Sequence, residues 1–195
     1  MYGVRCWHSM IGGTAMHDSA MNYLKKIRGA NYFDGPVLEI GSININGSAR
    51  ELWGDLKPYV GVDIVPGANV DYVVDIRGIT DPSQDYYLHG RFHTIICTEV
   101  LEHVDPASII GAMWQFMHDT CKVVITCAGP SRQTHSADGA PQLQFDEYYQ
   151  NVSPATLRAL LTEPPVHIII LECEVHASDD LGDVYAFATY GVKPQ

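Results

Sequence analysis

The 195-residue sequence contains no run of 18 or more apolar residues, so we expect no membrane-spanning helix and no membrane partner. Its first ten residues, MYGVRCWHSM, lack the apolar segment of a secretory signal. The five cysteines are an odd number without a C-x-x-C pair, and three of them lie within apolar runs. These absences argue against a disulfide framework and indicate reduced, buried thiols in a cytoplasmic protein.

Basic residues are also scarce in this chain. It has 12 Lys and Arg against 23 Asp and Glu, which gives a net charge of -11. Residues 1–29 hold four of the basic residues and only one acid, so the rest of the chain is strongly acidic. An acidic surface repels phosphate backbones, which disfavours a nucleic-acid substrate and favours a small molecule or a protein as the partner. The sequence leaves a homo-oligomer open.

Short apolar segments alternate with segments of helical periodicity. With 46% hydrophobic and 18% charged residues, the composition suits a packed core. The apolar segments predict seven strands, at 36–40, 59–62, 70–74, 92–97, 123–127, 166–173 and 184–190. Helices are predicted from Asp18, from Ser48, and after the capping pairs Asp105-Pro106 and Ser153-Pro154. After Asp105-Pro106, the helical spacing of apolar residues continues to Met117.

The order of these segments predicts an α/β fold. Strands separated by helices form a parallel sheet that is covered on both faces. The last two strands are only ten residues apart, which is too short for a helical crossover, so the last strand should be antiparallel to its neighbour. We expect a seven-stranded, mostly parallel sheet with an antiparallel last strand and helices on both faces. Residues 1–34 then form an N-terminal helical extension, and residues 35–195 form the ligand-binding domain.

The predicted strands end in glycine or in acidic residues. Gly41, Asp63 and Asp75 follow the first three strands, and Glu99 follows the fourth. Ligands of open parallel sheets bind beyond these carboxyl ends. Asp63 lies 22 residues after Gly41, an interval at which an acid meets a ribose in nucleoside-binding folds. Gly41 would let the backbone approach such a ligand without a Cβ atom in the way.

The loop after the first strand distinguishes between nucleoside ligands. A dinucleotide needs closely spaced glycines around its pyrophosphate, whereas this loop reads GSINING, with isoleucines at those places. S-adenosylmethionine carries no phosphate, and its sulfonium and ammonium groups are positive. An acid such as Glu39 beside the loop would therefore attract this ligand, and the loop favours the methyl donor over a dinucleotide.

Four stretches carry a resemblance to a known family. VLEIGSININGSAR, YVGVDIVPG, VDYVVDI and FHTIICTEVLEHV resemble the motifs of Rossmann-like (class I) S-adenosylmethionine-dependent methyltransferases, over roughly residues 35–104. The later stretch QFDEYYQNVSPATLRALL resembles one in bacterial and phage members. The loop departs from the common E/D-x-G-x-G-x-G motif, because it lacks the middle glycines. The resemblance implies the Rossmann-like methyltransferase fold and methyl transfer to an O or N atom of a small-molecule or glycan-like acceptor.

The resemblance also implies roles for individual residues. S-adenosylmethionine would be the cofactor, with its methionine part near the first motif and its ribose at Asp63. Ile64 would flank the adenine, Asp75 and Ile76 would meet the adenine edge, and Glu99 would close the pocket. The implied cofactor-binding set is Glu39, Gly41, Ser42, Gly47, Asp63, Ile64, Asp75, Ile76 and Glu99.

Two histidines are candidate catalytic residues. At His103 or His135, an imidazole could take a proton from a hydroxyl or amine during methyl transfer. A buried or capping histidine is the alternative at both positions. His89 and His93 are four residues apart, but Gly90 interrupts the helix that would align them. Because no Cys/His cluster has ligand spacing, we expect no metal.

Three of the acids also have simpler explanations. Asp75 could simply cap the residues Arg77-Gly78, and Glu99 and Glu102 could form one solvated helical edge. A base is not required in any case, because a sulfonium donor is already activated and positioning can supply most of the acceleration.

The 23 residues from 129 to 151 form a long polar segment after the fifth strand. We predict that this segment is an acceptor-side lid, because it begins at the same sheet edge as the cofactor site and loops of this length are usually functional or disordered. An ordinary surface loop is the alternative. The side chains that could contact an acceptor are Arg132, His135, Gln144, Phe145, Tyr148 and Tyr149.

Two other functions compete with methyl transfer. The fold could serve as a non-catalytic binding or assembly module whose altered glycine loop no longer holds the cofactor. A nicotinamide-dependent oxidoreductase is the third possibility, and the loop disfavours it.

Overall fold

A computed structural model describes residues 18–45, 47–79 and 91–193. All seven predicted strands occur in it: β1 (Val37–Ile40), β2 (Tyr59–Asp63), β3 (Tyr72–Val73), β4 (Phe92–Thr98), β5 (Met117–Ala128), β6 (Ile168–Ala177) and β7 (Asp183–Val192). The α-helices are α1 (Asp18–Ala30), α2 (Arg50–Trp53), α3 (Pro106–Met113) and α4 (Pro154–Thr162), and short 3-10 helices lie at Ile76–Gly78 and Trp114–Phe116.

The strands form one sheet in the order β3-β2-β1-β4-β5-β7-β6. Neighbouring strands are parallel except at β7, which is antiparallel to both β5 and β6. The turn at residues 178–182 joins β6 directly to β7, which is why the chain reverses there. The predicted α/β fold with one reversed strand is confirmed.

The central strands are buried on both faces because successive side chains point to opposite sides of the sheet. On one face, Val37, Ile96 and Val124 pack with residues of α1 and α2 in one apolar cluster. On the other face, the residues next to them in sequence pack with α3 and α4; these are Leu38, Ile95 and Val123. This two-sided burial explains why these strands are continuous apolar runs in the sequence.

Helix α1 covers one end of the sheet. It buries Ala20, Leu24 and Ile27, while Met21, which helical spacing places on the same face, is half buried. Leu24 and Ile27 belong to the same apolar cluster as the first face of the sheet. The division of the chain into an extension at 1–34 and a domain at 35–195 stays a prediction.

The capping predictions for α3 and α4 are confirmed. The Asp105 carboxylate accepts the backbone N–H of Ala107 at 3.3 Å, and the Ser153 hydroxyl accepts that of Thr156 at 3.0 Å. In both helices proline occupies the first turn. Backbone N–H groups of the first turn have no partner within the helix, so proline, which lacks this group, costs no helical hydrogen bond there.

Three element boundaries differ from the predictions. Helix α3 ends at Met113, and Met117 is the first residue of β5 because it pairs with Phe92 of β4. Trp114, Phe116 and Met117 are nevertheless core residues, as the sequence predicts. Helix α2 is a single turn within the predicted 48–56, and it ends at Gly54. Strand β3 has two residues instead of five.

Cys97, Cys121 and Cys127 are buried free thiols, as predicted. Cys173 is a free thiol that is only half buried, and Cys6 lies outside the described residues. Among the residues that the structure describes, no helix has both the length and the apolar character needed to cross a bilayer.

Candidate cofactor and active site

A cleft of about 1210 Å³ opens at the carboxyl ends of β1, β2 and β4. The sheet order reverses between β1 and β4, and open parallel sheets bind their ligands at such a point. Most of the predicted cofactor-binding residues line this cleft, namely Glu39, Gly41, Gly47, Asp63, Ile64, Asp75, Ile76 and Glu99. Ser42 does not line the cleft, since its side chain is buried beneath the loop against Gly61.

Gly41 begins the loop that follows β1, with a positive φ of 73°. This backbone conformation disfavours any residue with a Cβ atom. A Cβ atom at this position would also lie 2.1 Å from Cγ2 of Val100, whose side chain lines the cleft. The sequence analysis gives ligand approach as the reason for this glycine. The structure adds backbone conformation and the contact with Val100.

The Glu39 carboxylate holds the far end of the same loop. It is buried, and it accepts hydrogen bonds from the Tyr59 hydroxyl at 2.9 Å and the Ala49 backbone N–H at 3.2 Å. Burial raises the pKa of Glu39 to about 7, and the hydrogen bond from Tyr59 opposes this shift. Glu39 therefore shapes the loop through its own protein partners, in addition to lining the cleft.

Asp63, at the end of β2, joins two loops. Its Oδ2 accepts the backbone N–H of Ile43, and its Oδ1 accepts that of Val65, both at 3.2 Å. Each carboxylate oxygen can accept more than one hydrogen bond, so both retain capacity for a ligand. The neighbouring Ile64 side chain is 66% exposed at the mouth of the cleft.

Asp75 caps the short 3-10 helix that follows β3, which is the simpler of its two predicted roles. Its carboxylate accepts the Arg77 backbone N–H at 3.0 Å and also binds the Arg77 guanidinium, with Nε at 2.8 Å. These hydrogen bonds from Arg77 lower the pKa of Asp75. Asp75 and the buried Ile76 both line the cleft, and their contact with adenine stays a prediction.

Glu99 and Glu102 lie in a turn after β4, not in a helix. Glu99 has a positive φ of 54°, and its Oε1 accepts the Thr126 hydroxyl at 2.8 Å. Glu102 is 0% exposed. The alternative of a solvated helical edge is therefore wrong, because this turn directs Glu102 into the protein. Burial, and then the charge of Glu99, raise the pKa of Glu102 well above its ordinary value.

The two candidate catalytic histidines meet in the cleft. The ring centroids of His103 and His135 are 5.1 Å apart, and both rings also contact Tyr149 edge-on. Burial, followed by the charge of His135, lowers the pKa of His103 to about 4. General bases work best with a pKa near the working pH, so His103 is a weak base in this state. The catalytic role of both histidines stays a prediction.

Glu102, His103 and His135 also form a group of candidate metal ligands. One donor atom from each lies within 4.8 Å of the other two. The prediction that the protein binds no metal was based on spacing along the chain, which cannot show this group because His135 is 32 residues after His103. Of the other pair considered, His89 lies outside the described residues, and Nδ1 of His93 lies 3.0 Å from Asp34 Oδ2.

The segment from 129 to 151 has no helix or strand and covers one side of the cleft. Arg132 forms an ion pair with the buried Asp183, and Gln144 donates to Asp138 at 2.6 Å, so both side chains are engaged within the protein. Phe145 is 94% exposed, and Tyr148 lines the cleft. The predicted location of this segment is confirmed, and its action as a lid stays a prediction.

Sequence reasoning missed most of the apolar wall of the cleft. Ile43, Val65, Val100, Val104 and Ile109 line it beside the polar residues. Isolated apolar residues after strands look like core residues in a sequence. For Ile43, Val65 and Val100, the position two or three residues after a strand end was the one signal that could have identified them. Val104 and Ile109 lie further along the chain and carry no such signal.

Comparisons with solved structures identify the fold family. No protein-family model matches the chain, and no curated protein matches its sequence. Among solved structures, a Burkholderia thailandensis 1,6-didemethyltoxoflavin-N1-methyltransferase bound to 1,6-didemethyltoxoflavin and S-adenosylhomocysteine aligns with a TM-score of 0.59 and 11% identity. The alignment covers 91% of this chain and 80% of that one.

Two further structures agree with this alignment. The N-methyltransferase NodS from Bradyrhizobium japonicum WM9, in complex with S-adenosylhomocysteine, has a TM-score of 0.57 and 13% identity over 93% of this chain and 89% of its own. DhpI bound to S-adenosylhomocysteine has a TM-score of 0.61 and 19% identity over 92% and 87%. The chain therefore has the Rossmann-like fold of class I S-adenosylmethionine-dependent methyltransferases.

Proposed function

We propose that this protein is an S-adenosylmethionine-dependent methyltransferase that methylates an O or N atom of a small-molecule or glycan-like acceptor. One observation carries the proposal. The residues that follow β1, β2, β3 and β4, namely Gly41, Asp63, Asp75 and Glu99, all line a single cleft at the point where the sheet order reverses. The solved structures of this fold that hold S-adenosylhomocysteine support it.

The chemistry follows from the donor. S-adenosylmethionine supplies, when bound, a methyl group on a positively charged sulfur. The acceptor's O or N lone pair forms the new bond to this methyl carbon while the carbon–sulfur bond breaks. S-adenosylhomocysteine leaves as a neutral thioether, and the acceptor loses a proton. The protein's main task is to hold donor and acceptor in line, because positioning alone can remove much of the barrier.

In this proposal Asp63 holds the ribose, and the loop after β1 lies near the methionine part of the cofactor. The Asp63 carboxylate already accepts the Ile43 and Val65 N–H groups, which fixes its direction, and it would accept the two ribose hydroxyls as well. Such hydrogen bonds to a charged group contribute roughly 1.5–3 kcal/mol each. The exposed Ile64 side chain would cover one face of the adenine.

The acids around the cleft suit a cationic ligand. Glu39 and Glu99 line the cleft, and the ionised form of their carboxyl groups favours the sulfonium and ammonium groups of the donor. Gly47 lies in the same loop, where its N–H binds the Asn44 side chain at 2.9 Å. Asp75 and Ile76 would meet the adenine edge. The ionised carboxylates of Glu39 and Glu99 would repel a dinucleotide pyrophosphate, which argues against the oxidoreductase alternative.

The acceptor would enter beside the segment from 129 to 151. His103 and His135 lie on this side of the cleft and are the candidates for removing the acceptor proton. One aligned structure is a 1,6-didemethyltoxoflavin-N1-methyltransferase and another is the N-methyltransferase NodS, which supports a nitrogen acceptor.

A non-catalytic binding module is the second candidate function. The observation that favours it is the loop after β1, which has isoleucines at positions where the common motif has glycines. Ile43 and Ile45 both line the cleft, so they occupy space that glycines would leave to a ligand.

A thermal-shift experiment separates the candidate functions. The protein is heated with S-adenosylmethionine, S-adenosylhomocysteine, NAD or NADP. A ligand at 100 times its dissociation constant stabilises the folded state by about 2.7 kcal/mol. We expect a raised melting temperature with the two adenosyl ligands and no change with NAD or NADP. A shift with NAD alone would support an oxidoreductase, and no shift with any ligand would support the non-catalytic module.

Three further properties belong to the same proposal. We place the protein in the cytoplasm because Cys97, Cys121 and Cys127 are buried free thiols. The described residues leave a homo-oligomer open. Nucleic acid remains the disfavoured acceptor, because the chain carries a net charge of -11.

A further inference from the structure

The donor atoms of Glu102, His103 and His135 are close enough to share one cation. Metal–ligand bonds of about 2.1 Å place any two ligand atoms of one ion within about 4.2 Å of each other. The three donor atoms already lie within 4.8 Å of one another, so small side-chain rotations would complete the arrangement. No other group of three candidate ligands occurs among residues 18–45, 47–79 and 91–193.

Only one of the two oxygens of the Glu102 carboxylate has a hydrogen-bond partner among the described residues. Its Oε1 accepts the Ala128 backbone N–H at 3.2 Å, which fixes the direction of the group. Its Oε2 is buried and has no hydrogen-bond partner among the described residues. A buried oxygen without a partner is costly unless something compensates it, and a bound cation would do so.

His135 is oriented as metal-binding histidines usually are. Its Nδ1 lies 3.1 Å from the Gln133 backbone carbonyl, which selects the tautomer with the proton on Nδ1 and leaves the Nε2 lone pair free. The His103 Nδ1 is buried and has no hydrogen-bond partner among the described residues.

The charge around the group also favours a cation. Glu99 contributes a negative charge beside Glu102 in the turn after β4. Arg132 contributes a positive charge near Glu102, but its guanidinium forms an ion pair with Asp183. A dication between Glu102 and the two histidines would add the positive charge that this turn lacks.

We infer that Glu102, His103 and His135 bind one divalent transition-metal ion at the acceptor side of the cleft. Two imidazoles and one carboxylate suit Zn²⁺, Co²⁺, Mn²⁺ or Fe²⁺ better than Mg²⁺ or Ca²⁺, and three protein ligands leave coordination positions open. His103 and His135 line the cleft, so these positions face the acceptor. If the proposed methyl transfer holds, the acceptor presents an oxygen atom, such as a hydroxyl group, to this ion. His103 and His135 then act as ligands of the ion and not as bases.

The test is a titration of the untagged, EDTA-treated full chain with Co²⁺, which reports its coordination by visible absorption. We expect one Co²⁺ bound with a change in the visible spectrum, displacement by an equal concentration of Zn²⁺, and no displacement by Mg²⁺. The variants His103→Ala and His135→Ala should each weaken Co²⁺ binding at least tenfold. His176→Ala is the matched control, because His176 also lies beside a glutamate, at 3.2 Å from Glu174, but on the exposed strand β6.

The outcomes separate this inference from the proposed function. Absence of binding, or Co²⁺ binding that is unchanged in both His103→Ala and His135→Ala, would overturn the metal site. Circular dichroism of the two variants shows whether a loss of binding reflects unfolding. The variant Glu102→Gln removes the third proposed ligand and tests the site independently of the two histidines. S-adenosylhomocysteine binding is measured in the same samples. Its absence with Co²⁺ binding intact would contradict the methyltransferase proposal and leave the metal site standing.

Discussion

The Asp63 carboxylate at the end of β2 accepts the backbone N–H of Ile43, which lies 20 residues earlier in the chain, at 3.2 Å. This hydrogen bond ties the loop after β1 to the end of the neighbouring strand. The residue proposed to hold the ribose therefore also holds the loop that is proposed to lie near the methionine part of the cofactor. A change at Asp63 should affect both, and a variant that keeps the side-chain shape is needed to separate them.

Gly41 and Val100 should be energetically coupled. Gly41→Ala introduces a Cβ atom at a positive φ, which costs about 1–2 kcal/mol, and brings it 2.1 Å from Val100 Cγ2. Such overpacking typically adds roughly 1–3 kcal/mol. Val100→Ala removes the obstructing atom, so the double variant should recover the steric part but not the backbone part. Urea unfolding of the four proteins in this cycle measures the coupling.

The larger substitution Gly41→Val should reduce S-adenosylhomocysteine binding as well as stability, because the loop must move to accommodate it.

If the destabilisation by Gly41→Ala and Val100→Ala simply adds in the double variant, the two positions do not collide and the description of this turn is wrong.

Glu39 should make the protein less stable as the pH rises. Its pKa is about 7 in the folded state, above the ordinary value of 4.5, so the folded state holds the proton more strongly than the unfolded chain. A raised folded-state pKa gives stability that is present below pH 4.5 and is lost as the pH rises through about 7. Glu39→Gln removes this titration. Its free energy of unfolding relative to the wild type should rise by about 2–3 kcal/mol between pH 5 and pH 8.

Urea unfolding of both proteins across this pH range checks the prediction. Taking the difference between them is necessary because the pKa of Glu102 is raised as well. Tyr59→Phe is a useful companion variant, since it removes the hydroxyl that binds Glu39 but leaves its carboxyl group in place. A difference between Glu39→Gln and wild type that does not change with pH would show that Glu39 titrates normally.

The segment from 129 to 151 should become protected when the cleft is filled. It lines the cleft at Ser131 to Asp138, yet it has no helix or strand to protect its amides. Hydrogen exchange with and without S-adenosylhomocysteine should show slower exchange in this segment. Helix α4, which does not line the cleft, should show no change and serves as the internal control. Equal effects in the two segments would leave the lid without support.

Local sequence patterns were sufficient to predict much of this structure. Strand burial, the caps at Asp105 and Ser153, and the acids at the ends of the second to fourth strands depend on residues close in sequence, so the sheet and the edge that carries the cleft were predictable. The end of α3 was not, since Met117 is apolar in either a helix or a strand and its pairing with Phe92 of β4 decides between them. The meeting of His103 and His135 depends on how the long loop folds back, which no local spacing encodes.

Isothermal titration calorimetry with S-adenosylhomocysteine tests the central claim most directly. The account predicts one binding site on the wild-type protein and a loss of at least about 100-fold in affinity for Asp63→Ala, because two charged hydrogen bonds to the ribose disappear. Asp63→Asn, which can still accept a backbone N–H, shows whether the loop alone accounts for the loss. No binding to the wild type, or equal affinity in wild type and Asp63→Ala, would contradict the account.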